Sequence, residues 1–497
     1  MANREEKSGE LEWRIQMPDG KSKVLEPESH LLQRTCSSLK SFAVGFVTKI
    51  WMFLVKSWNI GVDDPKKFVH CVKVGLALSV VSLFYYMRPL YDGVGGNAMW
   101  AVMTVVVALE YTVGATLCKC INRAMATAVA GSLGIGIHWV ASQTGEKFEP
   151  IIIGTSVFIF AAATTFSRFI PAVKARFDYG ALIFILTFSL VSVSGYRVDK
   201  LWTLAHQRVS TIAIGTSLCV LVSMLFCPVW AGYQLHQQTI RNLENLANSL
   251  KGHVAKYFTN EEASTIHGEI NKKIQGYKCV LNSKQSEESM VNFAKWEPAH
   301  GKFSFGYPWK QYLKIGAAAR KCAYCIDNIN SCINSEMQAP EYLKKHIEEE
   351  CMRLSSYSSE VLKELAITIK TMKTSSEIEL LVGDMNFAVQ ELHNALKALP
   401  SHFTQPQSPP QTVDDHPDAD PEGLKRPAYA SIIEILPLAA LVTLLTETVV
   451  RTEETVDAVN ELASLAEFQS NNHKKSIQNQ PTDGNQDHQS MKILQRI

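Results

Sequence analysis

A charge imbalance is missing from this chain. Lys and Arg total 49, Asp and Glu total 48 over 497 residues, and the formal net charge is +1. Such a balance gives no electrostatic footing for a nucleic-acid partner. A secretory leader is missing too. The first 35 residues are polar and carry no apolar run followed by a small-residue cleavage site, so the N-terminus is expected in the cytoplasm. Catalytic signatures are absent: there is no GxSxG, no HExxH, no GxxxxGK[ST], and no GxGxxG after a strand. Gly131, Gly134 and Gly136 fall inside an apolar helical run and read as helix-packing positions. No enzyme and no cofactor is expected. The 11 cysteines form no spaced framework, and Cys322-x2-Cys325 has no second pair at zinc spacing. Reduced structural thiols without a metal are the reading.

Charge is scarcest between residues 68 and 230, where apolar runs dominate. About 20 apolar residues cross a bilayer as a helix. Six runs qualify: 68–87, 98–118, 124–142, 150–167, 179–196 and 205–227. Several are apolar on every side, which suits lipid better than a one-faced core helix. The fold class expected is an all-α membrane protein, with six transmembrane helices per subunit and a cytoplasmic helical domain. Basic residues cluster in alternate loops: Lys66 and Lys67, then Lys119 and Arg123, then Arg168, Lys174 and Arg176. The opposite loops carry Arg88, Lys147 beside Glu146 and Glu149, and Arg197 and Lys200 beside Asp199. By the positive-inside rule both termini are cytoplasmic. Residues 41–58, within the N-terminal segment 1–67, are apolar with Lys49 and Lys56 on one face. They read as an interfacial helix, a seventh span being the competing reading.

Ionisable side chains in the apolar belt mark function by default. Lys73 lies early in the first span, Glu110 late in the second, and Arg208 near the outer end of the sixth. Lys73 and Glu110 fall at similar depth, which allows them to pair. The buried set is mainly basic, and rings of Lys and Arg select anions in pores. A proton-coupled carrier would show several buried carboxylates or His instead. A membrane-anchored scaffold would show spans without buried charge.

Beyond Pro228 the pattern changes to amphipathic helices at 231–258, 261–283, 309–335, 339–372 and 375–398. These form the expected cytoplasmic domain, 231–398. Residues 399–426 hold six prolines and read as a disordered linker. A C-terminal helix within 427–468 packs on the cytoplasmic domain in this reading, because Glu434, Pro437 and Glu447 interrupt its apolar stretch. The tail 469–497 is polar and reads as disordered. The aromatic segment from Trp296 to Trp309 reads as a buried clamp between helices.

Certain motifs carry a resemblance. They are Asp64-Pro65, Lys73-Val74-Gly75-Leu76-Ala77-Leu78, Trp100 through Val107, Glu110 with Gly114-Ala115-Thr116-Leu117, and Asn122-Arg123. Further on come Phe177-Asp178-Tyr179-Gly180, Ser194-Gly195-Tyr196-Arg197, Pro228-Val229-Trp230-Ala231-Gly232, Leu235-His236 and Trp296-Glu297-Pro298. In this order they resemble the plant aluminium-activated malate transporter family of anion channels. The resemblance implies a homodimer of six-span subunits that passes malate and inorganic anions passively. It implies a pore lined by Lys73, Arg123, Arg197 and Arg208, with Glu110, Lys119 and Lys174 as a candidate pore or gating group. It departs at Leu182, where some relatives have Arg. A trivalent cation would need clustered outer-face oxygens, for which Asp92 and Asp199, with Glu146 and Glu149, are the candidates. The plasma membrane is favoured over the vacuolar membrane because the N-terminal extension is short. The alternative within transport is a proton- or cation-coupled organic-anion exporter.

Overall fold

The computed structural model describes residues 14–16, 22–24, 29–87, 98–145, 147–195, 201–258, 273–403 and 432–470. Two compact units part at Gly75, inside a helix. The first, Met1–Gly75, holds an antiparallel pair, β1 (Arg14–Gln16) with β2 (Ser22–Val24), and helix α1 (Ser29–Asp63). It also contains the start of α2 (Pro65–Tyr86). The segment 41–58 is therefore part of one long helix of 35 residues, about 52 Å in length. Phe42, Phe46, Trp51, Phe53 and Trp58 on α1 are exposed. An apolar surface of that extent marks a membrane or protein contact.

The second unit, Leu76–Ile497, continues α2 and adds α3 (Ala98–Ala108), α4 (Val113–Ser142), α5 (Glu149–Ser167), α6 (Pro171–Gly195) and α7 (Leu201–Leu225). Helices α2, α4, α5 and α6 are long and apolar enough to cross a membrane, and α3 and the stretch Val209–Leu225 of α7 are shorter apolar helices. Hydrocarbon forces every backbone group to pair within its own segment, which these helices do. α5 opens with Glu149 in its first turn and Pro150 behind it, both suited to a helix N-terminus. α4 packs chiefly on α6 and then on α7. Gly134 is the close-approach point, since a Cβ there would stand 2.9 Å from Val191 Cγ1; Gly131 and Gly136 have no such neighbour.

The expected second span, 98–118, is wrong as a single helix. α3 stops at Ala108 and α4 restarts at Val113. No Pro or Gly marks residues 109–112; tertiary and side-chain bonds hold the break. Thr112 caps α4 by accepting from Ala115 N–H at 3.3 Å. Thr116 Oγ1 accepts from Glu110 N–H at 3.0 Å, and Val113 N–H donates to Val229 O at 2.9 Å. α4 then runs straight through the expected inner loop, so Lys119 and Arg123 are helix residues and not loop charges.

The remaining helices are α8 (Ala231–Phe258), α9 (Tyr277–Leu281), α10 (Lys284–Ala294), α11 (Trp309–Ile333), α12 (Glu341–Thr371), α13 (Glu377–Phe403) and α14 (Ile432–Leu465). They share one core built around Leu243, Leu250, Tyr277, Ile315, Ile326, Leu362 and Leu441. Instead of one helix over 261–283, the described part ends at Leu281 and α10 begins anew. Asn282 and Ser283 side chains bond back to Lys278 O and Val280 O and stop the helix. α13 runs to Phe403, into the expected linker, and 404–431 lie outside the described residues, as does 471–497 of the tail. α14 also meets the length and hydropathy of a span. Its Leu438, Leu441, Leu445, Val449, Val459 and Leu462 are buried in the domain core, mostly against α11 and α12. A short parallel pair, β3 (Lys373–Thr374) with β4 (Gln469–Ser470), follows it.

Candidate functional site

Two of the recurrent motifs meet across the α4–α6 contact. Lys119, Asn122 and Arg123 are three and four residues apart on α4, hence on one face. Arg123 is buried, and its Nη1 donates to Tyr179 Oη at 3.2 Å. Its Nε has no partner among the described residues. Asn122 Nδ2 donates to Arg176 O at 2.9 Å, and Gly180 lets the α6 backbone lie against Asn122. Lys119 is ion-paired with Glu110, donates to Val107 O at 3.3 Å, and sits 5.5 Å from the Tyr179 ring centre. Asp178 accepts from Arg168 Nε at 2.8 Å and Nη2 at 3.3 Å. The lysine and arginine of α4 thus converge on Tyr179, while Glu110 in the α3–α4 break answers Lys119 alone of the pair. Among the described residues no carboxylate reaches Arg123.

Lys73 lies on α2 and is buried. Lys174 is exposed on the first turn of α6 and forms no ion pair among the described residues. Arg208 belongs to α7, but its side chain lies outside the described residues. Arg197, Asp92, Asp199 and Glu146 also lie outside them. Glu149 of the candidate outer cation site faces His138 Nδ1 at 3.7 Å. No metal-holding cluster occurs among the described residues.

A second constellation lies in the aromatic segment read as a buried clamp. The Glu297 carboxylate is buried where three helices meet. Its Oε1 accepts from Gly114 N–H at 3.1 Å and Ala231 N–H at 2.6 Å, and its Oε2 accepts from Gly232 N–H at 3.0 Å. One side chain therefore caps the first turns of both α4 and α8, where unpaired N–H groups and the helix dipole favour an anion. Burial pushes the Glu297 pKa up; the N–H groups of Gly232, Ala231 and Gly114, and His300, pull against it without cancelling it. The fit needs glycine. A Cβ on Gly114 would stand 2.4 Å from Phe293 O, and one on Gly232 would stand 2.4 Å from Trp309 Cη2. The sequence held a signal, an acid between Trp and Pro amid aromatics, but its donors are 65 to 183 residues away.

Around Glu297, Trp230 stacks on His300 at 4.0 Å, and Phe303, Tyr307, Trp309 and Tyr312 pack edge and face. His236 Nδ1 meets Tyr312 Oη at 2.8 Å, and burial, then Lys302, lowers its pKa to about 4. A cavity of about 550 Å³ opens beside Lys295, His300, Lys310 and Trp309. Deeper in the domain the buried Glu287 accepts from Arg320 Nη1 at 2.5 Å and Asn242 Nδ2 at 3.3 Å, tying α10 to α11 and α8.

Buried cations within membrane-length helices, with a carboxylate that joins those helices to a helical domain, are what an integral membrane transport protein would present. Residues 58–420 match the family described as aluminium activated malate transporter, and the chain belongs to that family. It is 54% identical over 490 residues to aluminum-activated malate transporter 10 of Arabidopsis thaliana, covering 95% of this chain and 98% of that one. It is 46% identical over 420 residues to Arabidopsis transporter 2, covering 84% and 78%. It is also 37% identical over 457 residues to transporter 1 of Triticum aestivum, covering 90% and 91%.

Proposed function

We propose that the chain is a channel for malate and inorganic anions, which flow down their electrochemical gradient past Lys73, Arg123, Arg197 and Arg208. The relatives named above carry malate transport in their names. The observation that supports the basic lining is Arg123: a buried guanidinium on a membrane helix, hydrogen-bonded only to a neutral hydroxyl among the described residues. A fixed cation in such a place is costly to keep. A permeating anion offsets that cost, and the cation in turn offsets the anion's lost hydration. The Glu110–Lys119 pair beside it is the proposed gating element, with Lys174 at the rim. In this reading the subunit works as a homodimer in the plasma membrane with both termini in the cytoplasm.

The test is whole-cell current in expressing oocytes with malate, then chloride, as the main anion. Reversal potentials should follow the anion gradient and ignore pH. Arg123→Gln should lower malate conductance about tenfold, roughly 1.4 kcal/mol of lost attraction, with surface expression unchanged. Flux that follows an imposed proton or cation gradient would instead establish a coupled exporter.

A further inference from the structure

A groove lies alongside the α4–α6 contact and shares Asn122 and Gly180 with it. It runs between α4, α5 and α6, has a volume of about 720 Å³, and is lined by Met125, Val129, Phe177, Ala181 and Phe184 among others. Met125, Val129 and Phe177 are exposed, so this surface lies open to whatever surrounds the membrane helices. One lining residue comes from elsewhere: Trp296 reaches in from the segment after α10. Trp belongs at the boundary between hydrocarbon and headgroups, so it fixes which end of the groove is the boundary.

Cations gather at that same end. Arg176 precedes the groove residue Phe177, and Lys295 precedes Trp296. Lys295 also shares the wall of the neighbouring cavity with Lys310. Burial lowers the Lys295 pKa, and the nearby charges of Arg176 and then Lys310 lower it further. The adjacent carboxylates are engaged elsewhere, Asp178 by Arg168 and Glu297 by three backbone N–H groups. Among the described residues none neutralises Arg176, Lys295 or Lys310. Like charges held together beside an apolar trough match one chemistry, a phosphate on an acyl chain.

We propose that this groove seats an acyl chain of an anionic phospholipid from the leaflet beside the helical domain, with its headgroup phosphate held by Arg176 and Lys295 and supported by Lys310. Neither Arg123 nor Lys119 of the proposed anion path lines it. It joins α6 to the segment that carries Glu297, so bound lipid braces the junction between membrane helices and helical domain.

The experiment uses the full chain in phosphatidylcholine bilayers doped with brominated phosphatidylserine or brominated phosphatidylcholine. The Trp296 contribution to fluorescence quenching is read as the difference from Trp296→Phe. The brominated anionic lipid should quench at a far lower mole fraction than the neutral one. Arg176→Gln with Lys295→Gln, both at exposed positions, should erase most of that preference. Each cation near a phosphate contributes about fivefold, so the pair contributes about 25-fold. Ala181→Trp, which fills the groove and leaves the cations in place, should lessen quenching by both lipids. Equal quenching by the two lipids in the unsubstituted protein would overturn the proposal. So would a double variant that keeps the full preference. Displacement of the brominated anionic lipid by millimolar glycerol phosphate would assign the cations to a soluble anion and overturn it as well.

Discussion

Replacing Glu297 by Gln changes one oxygen to an amide while keeping the side-chain shape. The remaining oxygen can keep the N–H groups of Gly114 and Ala231, at 3.1 and 2.6 Å in the parent. The new NH₂ then faces the Gly232 N–H, which loses its acceptor at 3.0 Å. A buried donor without a partner costs about 1–3 kcal/mol. Loss of negative charge at two helix N-termini adds about 0.3–1 kcal/mol for each. The sum is about 2–5 kcal/mol, concentrated on the first turns of α4 and α8. Hydrogen exchange of the Gly114, Ala231 and Gly232 amides in reconstituted protein reads this directly. Protection should fall at least about 30-fold, the equivalent of about 2 kcal/mol, while amides in the middle of α12 keep theirs. If Glu297→Gln also uncouples the two parts, malate current should fall although the protein still reaches the membrane. Unchanged exchange at all three amides would refute the claim that this carboxylate holds the junction.

Other outcomes follow from the same geometry. Gly232→Ala should destabilise by about 1–3 kcal/mol through overpacking, since its Cβ would lie 2.4 Å from Trp309; combined with Glu297→Gln the losses should be less than additive in thermal unfolding, because both loosen one contact. His236 titrates near 4 when folded but near 6.5 when unfolded, so the unfolded chain binds more protons between those values. The helical domain should therefore lose stability as pH falls from about 6.5 to about 4, by at most about 3 kcal/mol. Unfolding of His236→Gln against pH should show a flatter slope over that interval. Exchanging the charges of Glu110 and Lys119 together should restore the voltage dependence lost in either single reversal, measured as steady-state current; a double variant no better than the singles would remove the pair from gating.

The apolar runs were legible because lipid imposes one demand, internal hydrogen bonding, that composition records residue by residue. The amphipathic periodicity of 231–258 likewise coincides with α8. The break after Ala108 was not legible: residues 109–112 hold no Pro or Gly, and Thr116, Val229 and Glu297 supply the bonds that fix it and the start of α4. Lys119 and Arg123 were read as loop charges because charge in an apolar stretch signals a boundary. Here their partners Glu110 and Tyr179 keep them on the α4 surface facing other helices. Glu297 could be noticed in sequence but not understood, since its three donors come from distant segments.

Helix α14 is synthesised after α11 and α12, yet it supplies Leu438, Leu441, Leu445 and Val449 to the domain interior. Until α14 has left the ribosome, α11 and α12 must wait with an uncovered apolar trough. α14 then emerges beside a membrane that its length and hydropathy would allow it to enter. Its salt-linked stripe, Glu447, Arg451 and Glu454, with Lys321 of α11 bonded to Glu454 at 2.8 Å, gives that helix an ionic reason to choose protein over lipid. Biogenesis of this protein therefore includes a sorting decision between two apolar environments, and variants that discharge this stripe should be retained as misassembled chains before any effect on permeation is seen.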